Sequence, residues 1–145
     1  MRNPPEGWPR ISSALFYDDA AKAIEWLGRA FGFETRLKVE GDDGGIVHSE
    51  LVFGEGVVML ASISRGPRRA SPRSLDGANT QSLFVYVDDV EAHCARARGA
   101  GSKILSEPKT TDYGEEWWVD RGYEAEDLEG HRWYFAQRMS TAKKK

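Results

Sequence analysis

The fold of this chain is decided by the stretch Phe16-Tyr17-Asp18-Asp19-Ala20-Ala21-Lys22-Ala23-Ile24-Glu25-Trp26-Leu27-Gly28-Arg29-Ala30-Phe31-Gly32. A short apolar run leads into two aspartates, and the apolar residues that follow recur at helical spacing until a glycine ends the pattern. About 70 residues later, Tyr86-Val87-Asp88-Asp89 opens a second such segment, Val90 to Arg98, which stops at Gly99. A repeated strand, Asp-Asp, helix and glycine unit predicts two half-modules, and paired half-modules create a cleft in which a small molecule can bind.

Further apolar runs complete each repeat with three strands. The predicted strands are 34–39, 46–53 and 57–62 after the first helix, and 102–106, 117–126 and 132–138 after the second. Each repeat therefore has the order βαβββ, which places the chain in the α+β class. The predicted organisation is an N-terminal extension (1–9), a first module (10–63), a flexible linker rich in Gly, Pro and Ser (64–80), a second module (81–138) and a disordered basic tail (139–145).

Composition narrows the function classes. The net charge of the 145 residues is −3 and the pI is about 5.7, so nothing points to nucleic acid or to an anionic membrane. The single cysteine, Cys94, excludes an internal disulfide and fits a reducing compartment. Residues 1–9 lack the apolar centre of a secretion signal, and no stretch is long enough to span a bilayer. We therefore expect a cytoplasmic protein that has neither nucleic acid nor membrane as a partner.

Four segments carry a resemblance to a known family. They are residues 16–33, His48-Ser49-Glu50-Leu51-Val52-Phe53-Gly54, Val85-Tyr86-Val87-Asp88-Asp89-Val90 and Glu126-Asp127-Leu128-Glu129-Gly130-His131-Arg132-Trp133. The chain resembles the vicinal oxygen chelate superfamily, which includes glyoxalase I, bleomycin-resistance proteins and extradiol dioxygenases. The resemblance implies that the two tandem βαβββ modules form a cup-shaped mixed sheet with the helices on the outside, and that the protein is a homodimer. Whether the modules pair within one chain or across the dimer stays open.

The resemblance also assigns the four positions at which enzymes of this family hold a divalent metal. In this sequence they fall on Ser12, Glu50, Ser82 and Tyr134. Only Glu50 is a good ligand, because serine hydroxyls and a phenol bind Ni²⁺, Zn²⁺ or Fe²⁺ poorly. A shift in register would add His48, which lies on the same strand face, and this gives two donors. We therefore predict no metal cofactor and no metal-dependent glyoxalase or dioxygenase activity.

Strand alternation predicts what lines the cup. Leu51 and Phe53 should face the first helix, which turns His48 and Glu50 towards the cup. The same reasoning predicts a ligand-binding lining of aromatic rings with a few polar groups, namely Ser12, Phe16, Ser82, Phe84, Tyr86, Trp117, Trp118, Arg132 and Tyr134. Trp117 and Trp118 are adjacent on a predicted strand, so one of them should face the cup in either register.

Two functions are compatible with this lining. The first is a metal-free protein of the bleomycin-resistance type that sequesters a planar or aromatic small molecule. The second is a lyase or isomerase of the same fold in which Glu50, assisted by His48, is the general base, with or without a weakly held metal. For Glu50 the sequence leaves open a raised pKa with a catalytic role or a hydrogen bond to Ser12, Ser82 or Tyr134.

Overall fold

The computed structural model describes residues 1–141 and contains the βαβββ order twice. The first module consists of β1 (Ser13–Tyr17), α1 (Ala20–Phe31), β2 (Glu34–Glu40), β3 (Ile46–Phe53) and β4 (Gly56–Ser62). The second consists of β5 (Leu83–Tyr86), α2 (Val90–Gly99), β6 (Lys103–Asp112), β7 (Val119–Glu126) and β8 (Arg132–Ser140). The predicted α+β class with two tandem modules is confirmed. Neither helix within residues 1–141 has the length and hydropathy needed to cross a bilayer.

The predicted aspartates begin both helices. The Asp19 carboxylate accepts a hydrogen bond from the Lys22 amide at 3.1 Å, and Asp89 does the same for Ala92 at 3.1 Å. Gly32 ends α1 with a φ of 87°, in the left-handed region that glycine adopts without strain. The two halves thus begin their helices by the same local chemistry, which is why the repeat is visible in the sequence.

Each module forms its own four-stranded mixed sheet. Sheet 1 has the order β1-β4-β3-β2 and sheet 2 the order β5-β8-β7-β6. In both sheets the first strand pairs in parallel with the last, and the other pairs are antiparallel. The first strand of each module is therefore an edge strand with one side unpaired.

One apolar core joins the two modules. The Phe31 ring at the end of α1 lies 4.7 Å from the Phe135 ring and 5.4 Å from the Trp133 ring, both on β8 of the other module. Leu15 and Leu51 from sheet 1 belong to the same buried cluster. The inner face of each sheet therefore packs on the helices, and its outer face points away from the core.

A turn of the second module holds the start of α1. The Tyr17 hydroxyl donates to Asp127 at 2.5 Å, and the Trp133 indole donates to the same carboxylate oxygen at 3.1 Å. The Glu129 carboxylate accepts from the amides of Asp18 at 2.7 Å and Asp19 at 3.0 Å. Burial raises the pKa of Asp127, and burial together with that carboxylate raises the pKa of Tyr17.

The segment 64–80 differs from the flexible linker that the sequence predicts. It contains one 3₁₀ helix, Pro72–Leu75, and the end of another, Ile63–Arg65. Ser71 is buried, and its hydroxyl donates to Glu129 at 2.6 Å. The segment 64–80 therefore packs against the second module. Buried hydrogen bonds can hold a polar segment in place, as apolar contacts do for an apolar one.

Strand ends in the second module also differ from prediction. β6 extends to Asp112, past Pro108, which an edge strand tolerates because one side of its backbone is unpaired. β7 begins at Val119, so Trp117 and Trp118 precede the strand. Met139 and Ser140, predicted in the disordered tail, continue β8, whereas the end of that predicted tail, 142–145, lies outside the described residues.

Candidate functional site

The outer face of sheet 1 carries a hydrogen-bonded group of three charged or titratable side chains. Arg36 Nε donates to Glu50 Oε1 at 2.9 Å, Arg36 Nη2 forms an ion pair with the same oxygen at 2.9 Å, and His48 Nε2 lies 2.8 Å from Glu50 Oε2. Only 12% of the Glu50 side chain is exposed. Both carboxylate oxygens are thus engaged, by partners other than the predicted Ser12, Ser82 or Tyr134.

The electrostatics of this group oppose the expectation of a raised pKa. The hydrogen bond with His48 is the largest cause that lowers the pKa of Glu50, and the bonds and charge of Arg36 lower it further against the opposing effect of burial. A carboxylate whose pKa is lowered is a weaker base. The geometry therefore stabilises the Glu50 anion instead of preparing it to accept a proton.

The N-terminal extension contacts the same group. Arg36 Nη1 donates to the Gly7 carbonyl at 2.6 Å, and the guanidinium lies 4.8 Å from the centre of the Trp8 ring. Arg36 occupies a register shift in β2 between Thr35 and Leu37. The sequence alone did not reveal this arginine, since its position depends on that irregularity.

Phe16 also lies on the outer face of sheet 1, since its neighbours Leu15 and Tyr17 on the strand are both buried. Strand alternation predicts this side for Phe16. Its ring is covered by the Arg69 guanidinium, whose central carbon lies 4.3 Å from the ring centre. Arg69 belongs to the segment 64–80, so that segment supplies a cation to this face.

The outer face of sheet 2 exposes a cluster of aromatic rings. Phe84 and Tyr86 are 57% and 48% exposed, whereas Val87 beside them is buried. The Phe84 ring stacks on Tyr134 at 5.0 Å with an interplanar angle of 29°, and it meets Tyr86 edge-on at 5.2 Å. We call Phe84, Tyr86 and Tyr134 the aromatic face.

Gly122 on β7 makes room for one of these rings. A Cβ atom at this position would lie 2.5 Å from the Tyr134 hydroxyl oxygen and 2.9 Å from the Phe135 carbonyl oxygen. Any larger residue would have to displace the ring or the backbone. The glycine thus determines where the Tyr134 ring lies on the sheet.

A charged pair borders the aromatic face. Arg138 Nε donates to Asp120 Oδ1 at 2.5 Å, and the Tyr86 hydroxyl donates to Asp120 Oδ2 at 3.0 Å. The Arg138 guanidinium lies 4.7 Å from the Trp118 ring centre and 5.1 Å from that of Tyr86. Trp118 therefore reaches this face from the loop before β7, although the predicted strand position of the two tryptophans is wrong. Trp117 meets Trp118 edge-on at 5.8 Å and is exposed.

A groove of about 770 Å³ runs beside the open edge of β5. Phe84 and Tyr86 line one side, and residues 11–13 together with Phe53 and Val57 line the other. The Ser12 hydroxyl is buried and has no hydrogen-bond partner within residues 1–141. The groove therefore combines apolar walls, exposed rings and one unsatisfied polar group.

Ser82 and Arg132 lie elsewhere on the second module. Both line a separate cavity of about 490 Å³ with Glu124, and Arg132 Nη1 is 3.5 Å from the Glu124 carboxylate. The predicted site residues thus fall into distinct groups. His48 lies with Glu50 on sheet 1. Phe84, Tyr86, Tyr134 and Trp118 lie together at sheet 2, whereas Ser82 and Arg132 line the separate cavity.

Comparison with known proteins places this geometry in a family. The family model described as the Glyoxalase/Bleomycin resistance protein/Dioxygenase superfamily matches residues 10–135. The chain belongs to this superfamily. An uncharacterized protein of Mycobacterium bovis, Mb0911c, is 32% identical over 132 residues, which cover 89% of this chain and 83% of that protein.

Solved structures share the fold of this chain. TioX from Micromonospora sp. ML1 is 30% identical, with a TM-score of 0.69 over 90% of this chain and 99% of TioX. A superfamily member from Sphaerobacter thermophilus DSM 20745 is 17% identical, with a TM-score of 0.67 over 87% of this chain and 94% of that protein. At that identity the likeness concerns the fold alone.

The residues at the four positions that the resemblance assigns to a metal do not fit a divalent ion. Of Ser12, Glu50, Ser82 and Tyr134, only Glu50 is a carboxylate, and both its oxygens are engaged. Ser12 and Glu50 belong to the first module, whereas Ser82 and Tyr134 belong to the second. Within the described part of the chain, no three His, Cys, Asp or Glu residues are grouped to hold a metal.

Proposed function

We propose that this protein is a metal-free small-molecule-binding protein that sequesters a planar, aromatic ligand against the aromatic face. The observation that carries the proposal is the exposure of Phe84 and Tyr86 on a strand whose alternate residues pack into the core. Exposed neighbouring rings offer the flat apolar surface on which another ring stacks, at about 0.5–1.5 kcal/mol per ring pair beyond the area buried.

The groove beside β5 supports this proposal by its size. Its volume of about 770 Å³ is within the range of roughly 300–1,000 Å³ typical of small-molecule sites. Phe84 and Tyr86 belong to both the groove and the aromatic face, so a flat ligand that stacks on the rings also enters the groove.

We further propose that the binding unit is a homodimer. The outer faces of both sheets carry exposed large side chains, including Leu37 and Val39 on sheet 1 and Phe84 on sheet 2. If the outer face of sheet 1 packs over the aromatic face of a second copy, each cup receives one wall from each chain. Sedimentation velocity tests this, with a monomer at micromolar concentration as the contradicting result.

An enzyme that uses Glu50 as general base has less support. The lowered pKa of Glu50 and its two engaged oxygens disfavour proton abstraction at neutral pH. A sequestering role needs no such base, since it rests on stacking and on exclusion of water.

The test is a titration of chelator-stripped protein with planar aromatic probes, followed by tryptophan fluorescence and calorimetry. We expect saturable binding that Phe84→Ala weakens at least tenfold. Val47→Ala is the matched control, because Val47 is an exposed apolar strand residue that lines no part of the groove. Equal affinity in Phe84→Ala and the unaltered protein contradicts the proposal.

A parallel titration addresses the metal. We expect Ni²⁺, Zn²⁺, Mn²⁺ and anaerobic Fe²⁺ to bind without stoichiometric saturation. Saturable one-to-one binding that Glu50→Ala removes would contradict the metal-free assignment and favour a metal-dependent lyase or dioxygenase.

A further inference from the structure

Four arginines lie in the segment 64–80, and Arg69 is the one whose guanidinium lies over a ring of sheet 1 in the described chain. Arg65 pairs with Asp43, and Arg73 pairs with Asp18 and Glu129. No carboxylate within residues 1–141 lies within 4.0 Å of the Arg69 guanidinium nitrogens. Its hydrogen bond in the described chain is a long one, 3.4 Å from Nη1 to the Ser62 carbonyl. Because a guanidinium has five N–H donors, most of those on Arg69 are free.

The local backbone holds this side chain in place. The guanidinium lies against Gly66, where a Cβ atom would approach Arg69 Nε to 2.7 Å. The glycine contact and the stack on Phe16 together place one cation on the outer face of sheet 1.

The other arginines of the two outer faces are neutralised. Arg36 is paired with Glu50, and Arg138 is paired with Asp120. Arg132 lies 3.5 Å from Glu124. Arg69 is therefore the arginine on these two faces that can bind an anion while the ion pairs of the described chain stay intact.

We propose that Arg69 binds the acidic group of the ligand, which makes the ligand class a planar aromatic anion such as an aryl carboxylate. This inference rests on the proposed function, in which the outer face of sheet 1 closes over the aromatic face of a second copy. The ligand rings then stack on Phe84, Tyr86 and Tyr134 of one chain, and Arg69 of the other chain receives the anion. A guanidinium suits this role because it offers two parallel donors to a carboxylate.

The test compares three probes of one shape and different charge: 2-naphthoate, its uncharged amide 2-naphthamide, and the cation 2-naphthylmethylammonium. We expect 2-naphthoate to bind most tightly, and we expect Arg69→Gln to weaken its binding about tenfold to a hundredfold. Arg69→Gln should leave the affinity for 2-naphthamide unchanged. Arg69→Lys should restore part of the preference for the anion, and higher salt should weaken binding of 2-naphthoate alone.

Arg68→Gln is the matched control. It removes the same charge from the neighbouring exposed residue, which has no ring contact, and should leave all three affinities unchanged. Binding of the three probes with equal affinity to the unaltered protein and to Arg69→Gln would overturn the role of Arg69 and leave the proposed function standing. Absence of binding by all three probes, with both proteins folded by circular dichroism, would overturn both.

Discussion

Removal of the Glu129 carboxylate tests how the two modules are joined. Its side chain is 1% exposed and accepts four hydrogen bonds. Oε1 accepts from the Asp18 amide at 2.7 Å and the Ser71 hydroxyl at 2.6 Å, and Oε2 accepts from the Asp19 amide at 3.0 Å and from Arg73 at 3.2 Å. Each buried donor left unpaired costs about 1–3 kcal/mol.

Glu129→Ala should therefore lower the free energy of unfolding by about 3–5 kcal/mol, the range for breaking a buried charged network. Part of the loss is recovered, because Arg73 keeps its bond to Asp18 and water enters the space left by the carboxylate. Glu129→Gln keeps the volume but turns an NH₂ group towards two donors, so we expect a loss of about 2 kcal/mol.

Urea denaturation followed by fluorescence and circular dichroism measures both losses, provided that the slope of the transition is unchanged. Glu107→Ala is the control, because Glu107 is paired with Arg98 on the surface and its removal should have no measurable effect. If Glu129→Ala unfolds at the same urea concentration as Glu107→Ala, the reasoning about the four bonds is wrong.

Three further predictions concern the two outer faces. Gly122→Ala should displace the Tyr134 ring, which lowers the free energy of unfolding by about 1–3 kcal/mol and weakens the binding of planar probes. An unchanged probe affinity would contradict the position assigned to this ring. Because the pKa of Glu50 is lowered in the folded state, its contribution to stability should be fully present above the pKa of a glutamate in the unfolded chain and lost as the pH falls through the lowered value. Urea midpoints measured from neutral to acid pH should show this loss in the unaltered protein and a smaller one in Glu50→Gln. Tyr86→Phe removes the hydroxyl bond to Asp120 but keeps the ring, so probe affinity should change less than twofold; a loss as large as that in Tyr86→Ala would assign the affinity to the hydroxyl.

Local patterns predicted much of this fold. The aspartate before each helix and the alternation along each strand depend on residues close in sequence, so the burial of Leu15 and Tyr17 on either side of Phe16 was predictable. The same rule predicts that Phe84 and Tyr86 lie together on the side of their strand that is turned away from the helix, and both are exposed. Their role in ligand binding stays a prediction.

Contacts that depend on irregular backbone were not predictable. Arg36 reaches Glu50 from a register shift in β2, and Trp118 reaches the aromatic face from a loop that the sequence presented as a strand. The pKa of Glu50 is also lowered where burial alone predicts a raised one, first because of the hydrogen bond with His48 and then because of Arg36, which is 14 residues away in sequence. Contacts of this kind depend on how neighbouring strands are aligned. The sequence of one segment does not determine that alignment.

The turn that holds the start of α1 has a consequence for how the chain folds during synthesis. Tyr17 and Asp127 are 110 residues apart, and Asp18 and Glu129 are 111 residues apart. The ribosome must therefore release most of the chain before the first helix acquires its final partners. Because distant contacts slow folding, the first module waits, incompletely packed and with its inner face uncovered, for the last strands to arrive.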